Sequence, residues 1–297
     1  MYKMSEYTFI AGLLSVGLAF VSYLLSYANV RVRTMRTATA GGPGGGTVTV
    51  ASRGPGANRF ATYGSLMTWL AAAFILASMV FRAFATGHGP FSNMYEFSIA
   101  FAFGILGGFL YFDHKYHLRV LALIALPIAG ALLLYATTIP STIQPLVPAL
   151  QNNLLLSVHV AVAIVAYGTF SVAFGAAVLH LIQPAEGRRG LPKPELLDEI
   201  SYRAVVIGFP FLTLVIVLGA LWAEVAWGRY WGWDPKETAS LVTWLIYGAY
   251  LHARVVRGWK GNRAAWLLVA GFAATLFTYF GNLFFGGLHG YAGLDQQ

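Results

Sequence analysis

Long apolar blocks separated by short polar segments dominate the chain, for example at 66–81, 118–139 and 209–223. A helical run of about 20 mostly apolar residues is long enough to cross a hydrocarbon layer of roughly 30 Å. The pattern predicts eight transmembrane helices, at 7–28, 62–84, 95–112, 118–139, 153–182, 202–227, 235–256 and 264–285. We therefore predict an all-α polytopic membrane protein in which residues 1–297 form a single integral membrane domain.

The composition supports a lipid bilayer as the surroundings. Hydrophobic residues make up 58% of the 297 residues and charged residues only 10%, whereas soluble domains average about 25% charged residues. The net charge of +8 would raise the question of nucleic acid in a soluble protein, but loop topology explains it here, and no nucleic-acid partner is expected. The chain has no cysteine, which excludes disulfides, thiolate metal sites and redox thiol pairs.

The basic residues predict the orientation, because cytoplasmic loops are enriched in Lys and Arg. Fifteen of the 19 fall on one set of loops, which we assign to the cytoplasm: Arg31, Arg33, Arg36, Arg53, Arg59, Lys115, Arg119, Arg188, Arg189, Lys193, Arg203, Arg254, Arg257, Lys260 and Arg263. With eight helices, both termini are then extracytoplasmic. Residues 29–61 include a Gly-Gly-Pro-Gly-Gly-Gly run and are predicted to be a flexible cytoplasmic linker without assigned structure.

The segment 227–238, Trp-Gly-Arg-Tyr-Trp-Gly-Trp-Asp-Pro-Lys-Glu-Thr, lies on the outer side between the sixth and seventh helices. Asp234, Pro235 and Glu237 fit an N-cap, a first helical position and an acidic capping box, and capping alone is sufficient to explain both carboxylates. An interfacial aromatic belt and a flat apolar platform for a planar ring both account for its aromatic residues. Those residues are Trp227, Tyr230, Trp231 and Trp233.

Three of the seven histidines are candidates for ligands. His159 lies near the outer end of the fifth helix, and His289 follows the eighth helix on the same side. His252 is 17 residues beyond Pro235, about 26 Å along a helix, and is predicted to be buried near the inner leaflet, where ionisable groups are usually functional. Two imidazoles beside an aromatic cluster suit a bis-His haem iron. The outer basic groups available to haem propionates are Arg229, Lys236 and Arg82, besides Lys3.

The residues Trp-Gly-Trp-Asp-Pro-Lys-Glu-Thr, followed by Leu-Val-Thr-Trp-Leu-Ile-Tyr and Tyr-Leu-His-Ala-Arg, resemble the tryptophan-rich WWD signature of haem-handling proteins. More narrowly, the chain from about Pro90 to Tyr291 resembles the CcsA/ResC family of the system II cytochrome c maturation pathway. The resemblance implies a haem-binding subunit of a cytochrome c synthase in the cytoplasmic (inner) membrane. Such a subunit moves haem b to the outer face, where the haem vinyl groups form thioether bonds with the Cys-x-x-Cys-His thiols of apocytochrome c.

The resemblance also assigns individual residues. It implies that His159 and His289 ligate the iron of the external haem, and that His252 ligates a second haem near the cytoplasmic side. The second ligand of the inner site is expected from a CcsB/ResB-type membrane partner, without which the haem lyase would be inactive. The residues expected to contact the external haem from the WWD segment are Trp227, Arg229, Trp231, Trp233, Asp234 and Lys236.

Other functions are compatible with parts of the pattern. A haem exporter or chaperone of the other cytochrome c maturation system would share the WWD signature but pass haem to a separate carrier. A di-haem cytochrome b-type electron carrier would need axial histidine pairs at two levels, and only His252 is placed low in the bilayer. A solute transporter would show inverted repeats and broken helices, and the sequence has neither.

Overall fold

Eight helices account for most of the described chain, as the apolar pattern predicts. The computed structural model describes residues 1–28, 30–36, 47–53, 55–151, 153–184, 191–281 and 284–290. The helices are α1 (Tyr2–Ala28), α2 (Pro55–Thr86), α3 (Met94–Tyr116), α4 (Ala122–Thr137), α5 (Asn153–Ile182), α6 (Pro194–Trp227), α7 (Pro235–Val256) and α8 (Asn262–Phe280). Short 3-10 turns at Arg119–Leu121 and Pro148–Leu150 precede α4 and α5. The protein is a polytopic, predominantly α-helical membrane protein.

The helices alternate in direction between two ends of the bundle. We call the end where α6 stops and α7 begins the upper end, and the opposite end the lower end. The start of α1 lies at the upper end, since the Tyr2 hydroxyl is 2.8 Å from the Ser141 hydroxyl, and the Ser141 carbonyl also accepts from Arg82. The segment after α8 lies there too, because the Leu288 amide donates to Asp234. The described beginning and end of the chain therefore share one end, as expected for an even number of crossings.

Seven of the helices in the described chain are long and apolar enough to cross a membrane, and α7 is not among them. Helix α7 nevertheless runs the length of the bundle. Asp234 precedes it at the upper end, and Arg254 near its end pairs with Asp198 in the first turns of α6 at the lower end. Its composition is less apolar because one face packs against neighbouring helices with polar residues such as Thr243, which shares a 3.0 Å hydrogen bond with Thr278 of α8.

The predicted linker contains regular structure. Strands β1 (Val30–Arg36) and β2 (Thr47–Arg53) pair antiparallel, with Arg33 opposite Val50, and α2 begins at Pro55, earlier than predicted. Both strands are rich in Val and Thr, which favour extended structure, a signal that the glycine-rich composition between them obscured. Residues 37–46, together with Arg188, Arg189 and Tyr291, lie outside the described residues.

Helices α3 and α5 form the centre of the bundle. In their most apolar stretches 72% and 67% of residues are buried, compared with 28–50% in the other candidate spans. Glycines allow the two helices to approach closely: a Cβ on Gly108 would lie 2.7 Å from the Gly168 carbonyl oxygen, and Gly104 and Gly168 face each other in the same way. Small residues at such crossings let helix backbones pack in lipid, where no hydrophobic effect drives association.

A buried ion pair joins two helices at each end of the bundle. At the lower end, Arg254 lies 2.6 Å from Asp198, whose other oxygen accepts from the Gly261 amide before α8. At the upper end, the Arg82 Nε donates to Glu96 at 2.8 Å, and Arg82 is only 2% exposed. The Nε and one terminal nitrogen of Arg82 are thus held by Glu96 and the Ser141 carbonyl within the bundle, so Arg82 is not an exposed cation as the sequence suggested.

We predict that Gly108→Ala destabilises the protein because its Cβ would press on the α5 backbone. Overpacking of this kind costs about 1–3 kcal/mol, which should appear as a lower Tm in detergent. Gly107→Ala is the matched control, since a Cβ there meets nothing within 4 Å. Equal Tm values for the two variants would contradict the close α3–α5 approach.

Candidate functional site

The tryptophan-rich turn before α7 is held by the Glu237 carboxylate. Its Oε2 accepts from the Gly232 amide at 2.8 Å and from the Asp234 amide at 3.1 Å. Trp233, between these two amides, has a positive φ of 56°, which is uncommon for a bulky residue. Asp234 completes a capping box by accepting from the first-turn amides of α7. The capping interpretation of Asp234 and Glu237 is confirmed, and Glu237 also holds both sides of the strained turn.

Asp234 does more than cap α7. Its carboxylate accepts from the Leu288 amide at 2.6 Å and lies 2.8 Å from Nδ1 of His289. Gly287 permits this approach, because a Cβ there would lie 2.9 Å from the Pro235 Cδ. Two distant parts of the sequence therefore meet at one carboxylate that is only 5% exposed.

The electrostatics of this pair define the protonation state of the imidazole. Burial opposes ionisation of Asp234, but hydrogen bonds from His289, Lys236 and Leu288 outweigh it and lower the pKa of Asp234 to about 2. Burial lowers the pKa of His289 despite the neighbouring carboxylate. A neutral imidazole that donates its Nδ1 hydrogen to Asp234 carries its lone pair on Nε2. In this tautomer Nε2 is the ring nitrogen with the chemistry of an acceptor or metal ligand.

His159 approaches the same region from α5. Its ring packs against α6 at Gly219, where a Cβ would lie 3.0 Å from the ring Cε1. Its Nδ1 is buried and makes no well-formed hydrogen bond in the described part of the chain. Packing against α6 therefore holds the His159 ring in place on this side.

His159 and His289 line one cavity at the upper end, with a volume of about 940 Å³ including its open mouth. The wall is mostly apolar and aromatic. Besides the two histidines it includes Met94, Phe97, Phe101, Tyr167, Trp222, Tyr230, Trp231, Lys236, Glu237, Thr278 and Tyr279. An aromatic wall of this kind is suited to contact a flat apolar ring system.

Several wall residues were not anticipated from the sequence. Met94, Phe97 and Phe101 of α3 and Tyr167 of α5 line the cavity, but nothing in an apolar helix marks which face will meet a cavity. The opposite wall is fixed by a hydrogen bond of 2.8 Å between Tyr279 and Ser98. The sequence offers one indirect signal for the α3 residues. Asn93 caps α3 and Glu96 lies in its first turn, so the residues that follow them are near the upper end.

The tryptophans divide between the wall and the exterior. Trp231 lines the cavity, and Trp233 contacts it edge-on at 5.8 Å while remaining 69% exposed. Trp227 is not among the wall residues, but its ring lies 4.9 Å from the His289 ring and 4.7 Å from Trp222. Trp227 therefore packs against His289, and Trp231 lies in the cavity wall. These rings meet edge-on and do not form a parallel stack.

The structure brings together only part of the predicted set. Arg229 is exposed and packs over Gly232, outside the wall residues, whereas Lys236 lies inside with its ammonium 5.5 Å from the Phe97 ring centre. His252 was predicted to be buried, and this is wrong: it is exposed near the lower end of α7. It belongs to the stripe that also contains Val242, Leu245, Ala249 and Val255, which faces away from the bundle.

The donor set fits haem better than a bare metal ion. No group of three or more His, Asp and Glu side chains that could hold a metal exists in the described residues. Haem iron needs only axial ligands from the protein because the porphyrin supplies four nitrogens. Two histidines, an aromatic wall and one lysine in the cavity meet that requirement.

Similar proteins point to one biological process. Residues 91–289 match the family model described as Cytochrome C assembly protein. "Cytochrome c biogenesis protein CcsA" of Guillardia theta is 38% identical over 261 residues, which cover 78% of this chain and 86% of that protein. The protein of the same name from Chlamydomonas reinhardtii is 41% identical over 219 residues, which cover 69% of this chain and 62% of that one.

A solved structure shares the fold. The chain resembles "Cytochrome c Heme Lyase CcmF" with a TM-score of 0.63 over 94% of its length, and it spans 46% of that chain. The sequence identity is 18%, so this similarity concerns the fold alone.

We predict that Asp234→Ala loosens the segment after α8. Loss of an N-cap side chain costs about 0.5–2 kcal/mol, and the Leu288 amide loses its acceptor, so hydrogen exchange of the 284–290 segment should accelerate. Ser240→Ala in the same first turns of α7 is the control, because Ser240 bonds only the Glu237 carbonyl. Unchanged exchange of the Leu288 amide in the Asp234 variant would contradict the observed contact.

Proposed function

Because this chain belongs to the Cytochrome C assembly protein family and is a member of the CcsA group within it, we propose that it is the haem-handling subunit of cytochrome c biogenesis. It holds haem b at the upper end of the bundle and presents it for attachment to apocytochrome c. Haem is the cargo of the reaction, bound non-covalently until transfer.

One observation carries this proposal: His159 and His289, 130 residues apart in sequence, line a single aromatic cavity. His289 offers Nε2, since Asp234 holds its Nδ1. His159 reaches the same cavity from α5 and packs against α6 at Gly219. Two imidazoles at one level satisfy the axial positions of a bis-His haem.

The cargo supplies the reactive vinyl groups and an iron that accepts two nitrogen ligands. The thiol of a client cysteine adds across a vinyl group, so that a C–S bond forms and the thiol hydrogen is retained in the product. The part of this chain is to fix the vinyl edges within reach of the client, a positional effect that replaces much of the entropic barrier. Trp231 and the other aromatic residues of the wall offer apolar contacts to the macrocycle.

Lys236 is the cation placed to meet a haem propionate, since it lies inside the cavity beside Phe97. Arg229 is exposed at the upper end and serves a propionate that reaches the mouth. Trp233 extends from the mouth and offers an apolar ring to the approaching client. Trp227 and Asp234 support His289 and do not need to touch the haem.

His252 fits a second haem only at an interface. Its side chain is exposed on the outer stripe of α7, among apolar residues that face away from the bundle. A CcsB/ResB-type partner packed on this stripe would supply the second axial ligand and enclose the macrocycle. The same geometry argues against a self-contained di-haem cytochrome b, because His252 is the only histidine of α7 and its side chain faces away from the bundle.

The basic residues support an orientation for this assembly. Lys115, Arg203, Arg257 and Lys260 all lie at the lower end or in its loops. By the positive-inside bias the lower end faces the cytoplasm, and the haem cavity faces the extracytoplasmic side of the inner membrane.

Removal of either upper histidine tests the proposal directly. His159→Ala and His289→Ala proteins, purified with the partner subunit, should lose the bis-His absorption spectrum of bound haem. His88→Ala is the control, because His88 lies in an upper loop with only local hydrogen bonds. If both variants kept the wild-type spectrum, the ligand assignment would be wrong.

His252→Ala should remove haem from the lower site and reduce the supply to the upper cavity. The expected measurement is a lower haem content of the complex, with the bis-His spectrum of the residual upper haem unchanged. Normal haem content in this variant would mean that His252 does not bind haem.

A further inference from the structure

The two cavity histidines differ in what stands behind them. We propose that Asp234 is a positioning residue that makes His289 the stronger of the two haem ligands and leaves His159 as the weaker one. This inference rests on the proposed function, since it requires haem in the cavity. It predicts that His289 keeps its bond to the haem iron while the bond to His159 is the one that is replaced.

His289 has a complete supporting shell. Asp234 lies 2.8 Å from its Nδ1, and the same carboxylate is held by the Lys236 and Leu288 amides. Trp227 and Trp222 pack against the ring at 4.9 and 5.8 Å between centroids. The carboxylate fixes the tautomer and the ring orientation together. A carboxylate behind a metal-binding histidine raises ligand basicity, and losing it typically costs about 10–100-fold in metal affinity.

His159 has no equivalent support. Its Nδ1 makes no well-formed hydrogen bond in the described chain. Its ring packs against α6 at Gly219, and the polar group of α6 that acts on it is the neutral Val215 backbone. No carboxylate in the wall is bonded to it: Asp234 bonds His289, and Glu237 bonds the amides of the tryptophan-rich turn. A neutral backbone carbonyl polarises an imidazole less than a carboxylate does, so His159 is the poorer electron donor.

This asymmetry predicts which of the two histidines the client replaces. The histidine of the client motif needs an axial position of the iron, and the weaker bond is the one it replaces. The client would therefore take the place of His159, on the side of α5 and α6, while His289 keeps the macrocycle in register with the tryptophan-rich turn. The exchange replaces one iron–nitrogen bond by another and needs no oxidant or reductant.

A double-mutant cycle on the full-length chain in detergent tests the inference. Each single-histidine protein is titrated with ferric haem and the Kd is read from absorbance. His159→Ala, which retains His289, should bind haem about 10-fold more tightly than His289→Ala. Adding Asp234→Asn should weaken binding by about 10-fold in the His159→Ala background and leave the His289→Ala background unchanged.

Two further variants separate positioning from folding. Asp234→Ser keeps a good N-cap residue for α7 but is too short to reach His289, so it should reproduce the effect of Asp234→Asn. Asp113→Asn is the matched control: it changes a buried aspartate in the last turns of α3, at the other end of the bundle, and should not alter either Kd.

The outcomes distinguish this inference from the proposed function. Equal Kd values for the two single-histidine proteins, or an equal loss from Asp234→Asn in both backgrounds, would overturn the positioning role while haem ligation stands. Retention of the wild-type bis-His spectrum by both single-histidine proteins would overturn the ligation itself. If neither Asp234 variant folds, the comparison of His159→Ala with His289→Ala still decides the order of ligand strength.

Discussion

The Asp234 carboxylate is the point at which the upper end of the bundle is assembled. It caps α7, receives the Leu288 amide and holds the His289 ring, so one buried group connects the tryptophan-rich turn with the segment that follows α8. A buried carboxylate is tolerated only when hydrogen bonds replace its lost hydration, and here three donors do so. Its position therefore determines where the anchored histidine of the cavity can be.

A second constraint comes from the centre of the membrane. The α3–α5 crossing is as close as two helix backbones permit, because glycines face each other there. Above the crossing the same two helices supply Phe97, Phe101, His159 and Tyr167 to the cavity wall. The cavity thus opens above a rigid, closely packed crossing. This arrangement separates the most closely packed part of the bundle from the part that contains the cavity.

Local chemistry was predictable from the sequence, and tertiary register was not. The capping box of α7 was legible because Asp234 and Glu237 act within one turn, and the shared level of His159 and His289 followed from counting helices. His252 was misplaced because a histidine in an apolar span suggests burial. Only packing reveals that it continues the exposed stripe through Val242, Leu245 and Ala249.

The same distinction applies to charge. Arg82 looked like one of several cations on the outer loops, because its partner Glu96 lies 14 residues away in another helix. The β1–β2 pairing was missed for a related reason, since alternation in each strand is short and a glycine-rich stretch separates them. Sequence patterns indicate which residues have the chemistry to bind a ligand. Contacts between helices decide which of those residues are already paired within the protein.

The Arg82–Glu96 pair has a consequence for how this protein can change over time. Both side chains are almost fully buried, with 3% and 1% of each side chain exposed, and removing one member of such a pair leaves an uncompensated charge that costs about 3–5 kcal/mol. A single substitution at either position is therefore expected to destabilise the protein strongly, whereas replacing both residues together by apolar side chains need not do so. Among related proteins, we therefore expect the residues at positions 82 and 96 to be substituted together.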